Sequence, residues 1–165
     1  MLICFSVFNM ESVADNESQS RRERFWRYAP LLIWMLVIFL ASTGELSAPN
    51  TSRILRPLLL WLFPNISEER LVSAHFFVRK AAHFTEYAIL AFFAARAFIT
   101  SSHESLRRAW FLIALLLVVL YSLSDEYHQS FVASRTGSIY DCLIDIFGGL
   151  TALVVFAMWR KQKEK

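Results

Sequence analysis

The chain has 165 residues, of which 56% are hydrophobic, 15% aromatic and only 19% charged. That is too little charge for an ordinary soluble domain, and glycine and proline are too scarce for a disordered chain. The net charge of +3 is gathered in short clusters beside apolar runs, which excludes a nucleic-acid patch and points to a membrane.

The opening MLICFSVFN is not preceded by basic residues and is followed by acidic and polar ones, unlike a signal peptide. Met10 is an alternative start. Residues 1–25 read as a polar, disordered tail, with ESVADNESQS at 11–20 its most polar part. Cys4 in this tail and Cys142 in an apolar run make neither a disulfide framework nor a thiolate metal site.

Crossing a bilayer takes about 20 mainly apolar residues in a helix. Four segments qualify, at about 26–42, 76–99, 109–124 and 139–159, within a domain spanning 26–160. The fold class is therefore an all-α integral membrane protein, a four-helix transmembrane bundle. Arg21, Arg22, Arg24 and Arg27 precede the first span; Arg107 and Arg108 separate the second from the third; Arg160, Lys161, Lys163 and Lys165 follow the fourth. With four spans these clusters share one side, so the positive-inside rule predicts that both termini are cytoplasmic. The 43–75 loop then lies outside. Its ILRPLLLWLF is too short to span and reads as an interfacial helix, with a re-entrant segment as the alternative. Asn50 and Asn65 open Asn-x-Ser/Thr matches, which are common by chance.

The unusual polar residues all fall toward the outer ends of the spans. They lie in VRKAAHFTEY at the start of the second, SDEYHQ at the end of the third and SIYDCLID at the start of the fourth. Arg79, His83 and Glu86 form one i, i+4, i+7 stripe, and Lys80, His83 and Tyr87 an adjoining one; Asp141 and Asp145 share a face. Glu86 lies on the order of 15 Å along the helix from Phe76, too deep to snorkel. A charge near the bilayer centre costs roughly 2.5–3.5 kcal/mol even on the lenient insertion scale. These groups are thus expected to face one another in one outward-facing pocket. Its pocket and ligand-binding residues are Arg79, Lys80, Glu126, His128, Gln129, Arg135, Asp141 and Asp145.

Three uses of such a pocket follow from chemistry alone. Its cations could hold an anionic headgroup or a lipid-linked glycan precursor. His83 could instead be a general base oriented by Glu86 or Asp125, the catalytic candidates. Within that same enzyme reading, His83, Glu86, Asp125, His128 and Asp141 could instead bind a divalent metal, but HFTE is a single His-x-x-Glu rather than a dedicated ligand pair. Proton or ion translocation ranks last, because the inner halves of the spans carry no acid to continue a path. Against all three stands structural glue, hydrogen bonds worth about 1–2 kcal/mol or less that join helices. Helix pairing needs one or two such contacts, not ten polar groups at one depth. Other features read as structural: Arg96 snorkels, Gly148 and Gly149 allow close helix packing, and Trp26, Tyr28, Trp61, Trp110 and Trp159 anchor at the interfaces.

RKAAHFTEYAIL, SDEYHQSFVASRTGS and DCLIDIFGG, in this order, resemble the motifs of the VanZ-like membrane protein family, with AST at 41–43 a further point of likeness. The family often has Pro-Gly before the arginine, where this chain has Ala133-Ser134. The resemblance implies a small helical domain in a bacterial cell membrane, multi-pass. It also implies an association with resistance to the glycopeptide teicoplanin. The expected partners are membrane lipid, a lipid-linked cell-wall precursor or a glycopeptide, and no nucleic acid.

Overall fold

The computed structural model describes residues 2–43, 48–131 and 138–163, with side chains described from residue 21 onward except at 48–52 and 54. The described chain is helical throughout, with six helices and no strands. They are α1 (Leu2–Ala41), α2 (Ala48–Leu62), α3 (Glu68–Ile99), α4 (Glu104–Arg108), α5 (Trp110–Gln129) and α6 (Ile139–Lys163). Four segments are long and apolar enough to cross a membrane: Arg21–Ala41, Glu68–Ile99, Trp110–Gln129 and Ile139–Lys163.

Several boundaries differ from the sequence expectation: α5 runs on to Gln129 rather than ending at 124, and α6 to Lys163 rather than 159. The disordered 1–25 tail is instead helical from Leu2, continuous with the first span. No glycine or proline interrupts residues 2–29, so nothing in the local backbone chemistry stops the helix there. The second span begins at Glu68 rather than Phe76, because Ser67 caps it: its side chain accepts from the Arg70 amide, and Glu68 and Glu69 occupy the first turn. At 32 residues α3 is about 48 Å long, well beyond the roughly 30 Å hydrocarbon core. Its start is tied to α2 by the Arg56–Glu68 ion pair. The short α4 was not expected from the sequence.

α3 is the hub, packed against α1, α5 and α6. Its buried face runs through Tyr87, Leu90, Ala91, Ala94, Ala95 and Phe98, and meets Leu31 and Ile38 of α1, Ala114 and Val118 of α5, and Leu153 of α6. The alanines leave room for close helix approach. Gly148 goes further: a Cβ there would stand 2.3 Å from the Phe84 carbonyl oxygen, and one at Gly149 2.6 Å from a Val118 methyl. Larger apolar side chains such as Leu32, Leu36, Leu112, Leu116, Leu143 and Val155 point outward. In water that surface would aggregate; in lipid it is the solvated face.

Cross-contacts fix which helix ends lie together. Tyr28 near the start of the first span shares a hydrogen bond with Ser101 just past α3. Arg107 donates to the Ser101 carbonyl, and the Arg160 guanidinium sits 6.0 Å from the Trp110 ring. The basic clusters therefore gather at one end of the bundle. At the other end Gln129 reaches Ser42, and the Ser138 amide reaches Glu126.

Candidate functional site

The second of these ends gathers the polar residues of three spans, together with Ser42 from the end of the first. On α3, spacings of three and four residues aim Lys80, His83 and Tyr87 into the bundle. On α5, Ser122, Asp125, Glu126 and Gln129 are buried at the same spacing, and on α6 so are Asp141 and Asp145.

The site has two layers. In the outer one a single carboxylate, Asp141, holds two cations. Arg79 Nη2 lies 3.4 Å from Asp141 Oδ2, and Lys80 Nζ donates to Asp141 Oδ1. Lys80 Nζ also lies 5.1 Å from the centre of the Phe76 ring. The Asp141 side chain is 3% exposed, those of Arg79 and Lys80 36% and 20%. The acid is thus at the bottom and the cations at the rim.

One turn deeper, about 6 Å along each helix, His83 Nδ1 faces Asp145 Oδ1 at 3.2 Å. The other oxygen, Asp145 Oδ2, accepts from Ser122 Oγ at 3.0 Å. The carboxylate assigns the proton to Nδ1, leaving Nε2 as the acceptor nitrogen. Among the described residues no hydrogen bond engages His83 Nε2.

Beside this pair, Gln129 Nε2 donates to Asp125 Oδ2 at 2.9 Å, and the Ser138 amide donates to Glu126 Oε2 at 2.6 Å. Glu126 Oε1, His128 Nε2 and Gln129 Oε1 are buried without a hydrogen-bond partner among the described residues. Orphaned polar atoms are costly in a bundle core. A cleft of about 240 Å³ reaches Asp125 and His128, walled by Phe39, Tyr121 and Tyr127 among others.

The structure thus brings Arg79, Lys80, His83, Asp125, Glu126, Gln129, Asp141 and Asp145 into one cluster, with His128 at its edge against the Phe39 ring. One expected pairing is corrected. Asp145, not Glu86 or Asp125, is the carboxylate hydrogen-bonded to His83. The i, i+3 spacing to Glu86 follows the stripe along α3, but the imidazole turns across to α6, where Gly148 lets the backbones close up. Glu86 is partly buried, and its backbone carbonyl accepts from Trp34 Nε1 of α1 at 2.9 Å. Arg135 lies outside the described residues. Among the described residues no three His, Cys, Asp or Glu side chains converge as metal ligands, so the five-residue metal set named from the sequence is not assembled.

Ser122 and Ser42 were not anticipated as site residues. Ser122 stands three residues before Asp125 and four before Glu126, a signal that was legible. Ser42 carried none beyond its place in AST.

The VanZ/LLP1 family model matches residues 25–160, which takes in the second and third spans whole, most of the first and fourth, and every residue of the cluster. No curated protein and no solved structure matches the chain. With the family's pattern covering most of its length, this multi-pass membrane chain belongs to the VanZ/LLP1 family.

Proposed function

We propose that the cluster is an outward-facing binding site for an anionic lipid headgroup or a lipid-linked glycan precursor in a bacterial cell membrane. The observation that carries this reading is the order of charges at the rim. Buried Asp141 fixes Arg79 and Lys80, whose partly exposed cations keep further N–H donors free for a phosphate or carboxylate. Arg135, next in sequence to the site, would add a third. The aromatic-walled cleft beside Asp125 and His128 suits the apolar part of such a ligand. Orientation follows from the basic clusters at the opposite end, which the positive-inside rule assigns to the cytoplasm, with both termini. Family membership supports a connection with glycopeptide resistance of the teicoplanin type.

A second reading rests on the His83–Asp145 pair. An imidazole held by a buried carboxylate, with Nε2 unengaged, has the geometry of a general base. The substrate would be the same envelope lipid or glycan.

One experiment separates the two. The full chain is extracted gently, and co-purifying lipid is identified by native mass spectrometry. Teicoplanin susceptibility is measured in a susceptible bacterium expressing the same variants. Binding predicts that Lys80→Ala and Arg135→Ala lose the retained lipid and the protection, while His83→Gln keeps the lipid. If His83→Gln keeps the lipid and abolishes protection, the acid–base reading gains. If well-expressed Lys80→Ala and Arg135→Ala behave as the parent, the binding proposal fails.

A further inference from the structure

The opposite end of the bundle holds a second charged concavity. A cleft of about 510 Å³ opens where the first span begins and α3 ends. Its walls are Arg22, Glu23, Trp26 and Arg27 from α1 and Arg96 and Thr100 from α3. Arg22 and Trp26, Glu23 and Arg27, and Arg96 and Thr100 are each i, i+4 pairs, so each helix presents one face to the cleft.

Three arginines and one glutamate therefore line the cleft. Among the described residues no ion pair engages Arg22, Arg27 or Arg96. The Thr100 hydroxyl is already spent on the Arg96 carbonyl, at 2.8 Å. Orienting the chain requires only basic residues at this end, and Arg108, Lys161 and Lys163 meet that need from outside the cleft. Snorkelling explains why Arg96 reaches outward from between Ala95 and Ala97, but not why it lines one cleft with two arginines of another helix. Like charges brought to one cleft from two helices repel, and its one acid, Glu23, offsets only one of the three. The arginine fork matches the oxygens of a phosphate, and Trp26 is the residue type that settles at headgroup depth.

We propose that this cleft is a phosphate site that holds the headgroup of an anionic phospholipid. It shares no residue with the polar cluster at the other end and does not depend on what that cluster binds.

The test uses the full chain in mixed micelles containing phosphatidylglycerol or phosphatidylcholine, with bound lipid counted by native mass spectrometry. Phosphatidylglycerol should be retained in preference to phosphatidylcholine. Arg96→Gln and Arg27→Gln should each weaken its retention roughly tenfold. Arg96→Lys should fall between, since it keeps the charge and loses the fork. Lys161→Gln, exposed and outside the cleft, should change nothing. Should Arg96→Gln fail to fold, Arg27→Gln alone decides. Equal losses in Lys161→Gln and Arg27→Gln would reduce the effect to net charge and overturn the site. So would undiminished retention in Arg27→Gln. Displacement of the lipid by equimolar inorganic phosphate would assign the cleft to free phosphate and overturn the lipid headgroup.

Discussion

His83 of α3 and Asp145 of α6 meet through Nδ1 and Oδ1 at 3.2 Å, with side chains 8% and 0% exposed. Asp145 also accepts from Ser122 of α5, so one carboxylate joins three spans. Asp145→Ala would strip two buried donors of their acceptor. The expected loss is on the order of 1–2 kcal/mol for hydrogen bonds between helices in a membrane. Thermal unfolding in detergent should show it, with Asp145→Asn losing less because its carbonyl oxygen still accepts.

Asp141 should behave differently, because its partners are partly exposed. Asp141→Asn is expected to cost less stability than Asp145→Ala, since Arg79 and Lys80 can turn to water. Its effect on lipid retention should be larger, because the rim cations lose their anchor. Side-by-side unfolding and native mass spectrometry of the two variants would check this inverse order.

The two adjacent glycines should differ when changed to alanine. At Gly148 the new methyl meets backbone, the Phe84 carbonyl, and α3 and α6 must move apart. At Gly149 it meets a side-chain methyl of Val118, although at 2.6 Å that too must shift. Overpacking typically costs about 1–3 kcal/mol, and Gly148→Ala should lie at the upper end. Gly149→Ala combined with Val118→Ala should recover part of the loss, and no comparable rescue is expected for Gly148→Ala.

Trp34 pins the first span to α3 through the Glu86 carbonyl. Trp34→Phe keeps a ring beside Phe93 and removes the donor. A loss of about 1 kcal/mol is expected by chemical denaturation, the worth of one ordinary hydrogen bond.

Orientation is testable by labelling. With Cys4→Ser as background, Ser73→Cys on the exposed early part of α3 should react with a membrane-impermeant maleimide added to intact cells. Ser102→Cys, exposed just past the other end of α3, should react only after the cells are opened. The reverse pattern would invert the topology and turn the polar cluster inward.

Much of the architecture was legible before any coordinates. The four spans came from runs of apolar residues, because a helix in lipid must be greasy over its whole surface and no tertiary partner is needed to reveal it. The gathering of Lys80, His83, Asp125, Glu126, Asp141 and Asp145 at one end came from helix direction and the energetic cost of charge in oil. Helix ends were harder. The Ser67 cap lies in a stretch too polar to register as membrane, so the first turns of α3 escaped a hydropathy criterion. The tail at 11–20 reads as disordered by composition, yet it has no residue that breaks a helix.

Sequence alone determined that this is a four-span helical membrane protein of VanZ-like pattern, and that its ionisable groups collect at one level. Those properties depend on periodicity and on solvation, which act along each helix separately. Only the tertiary structure decided that His83 pairs with Asp145, that Asp141 serves both Arg79 and Lys80, and that Arg96 lines one cleft with Arg22 and Arg27. Such pairings depend on the rotation and separation of neighbouring helices. Those are set by small residues such as Gly148 at their crossings, whose effect no single helix contains.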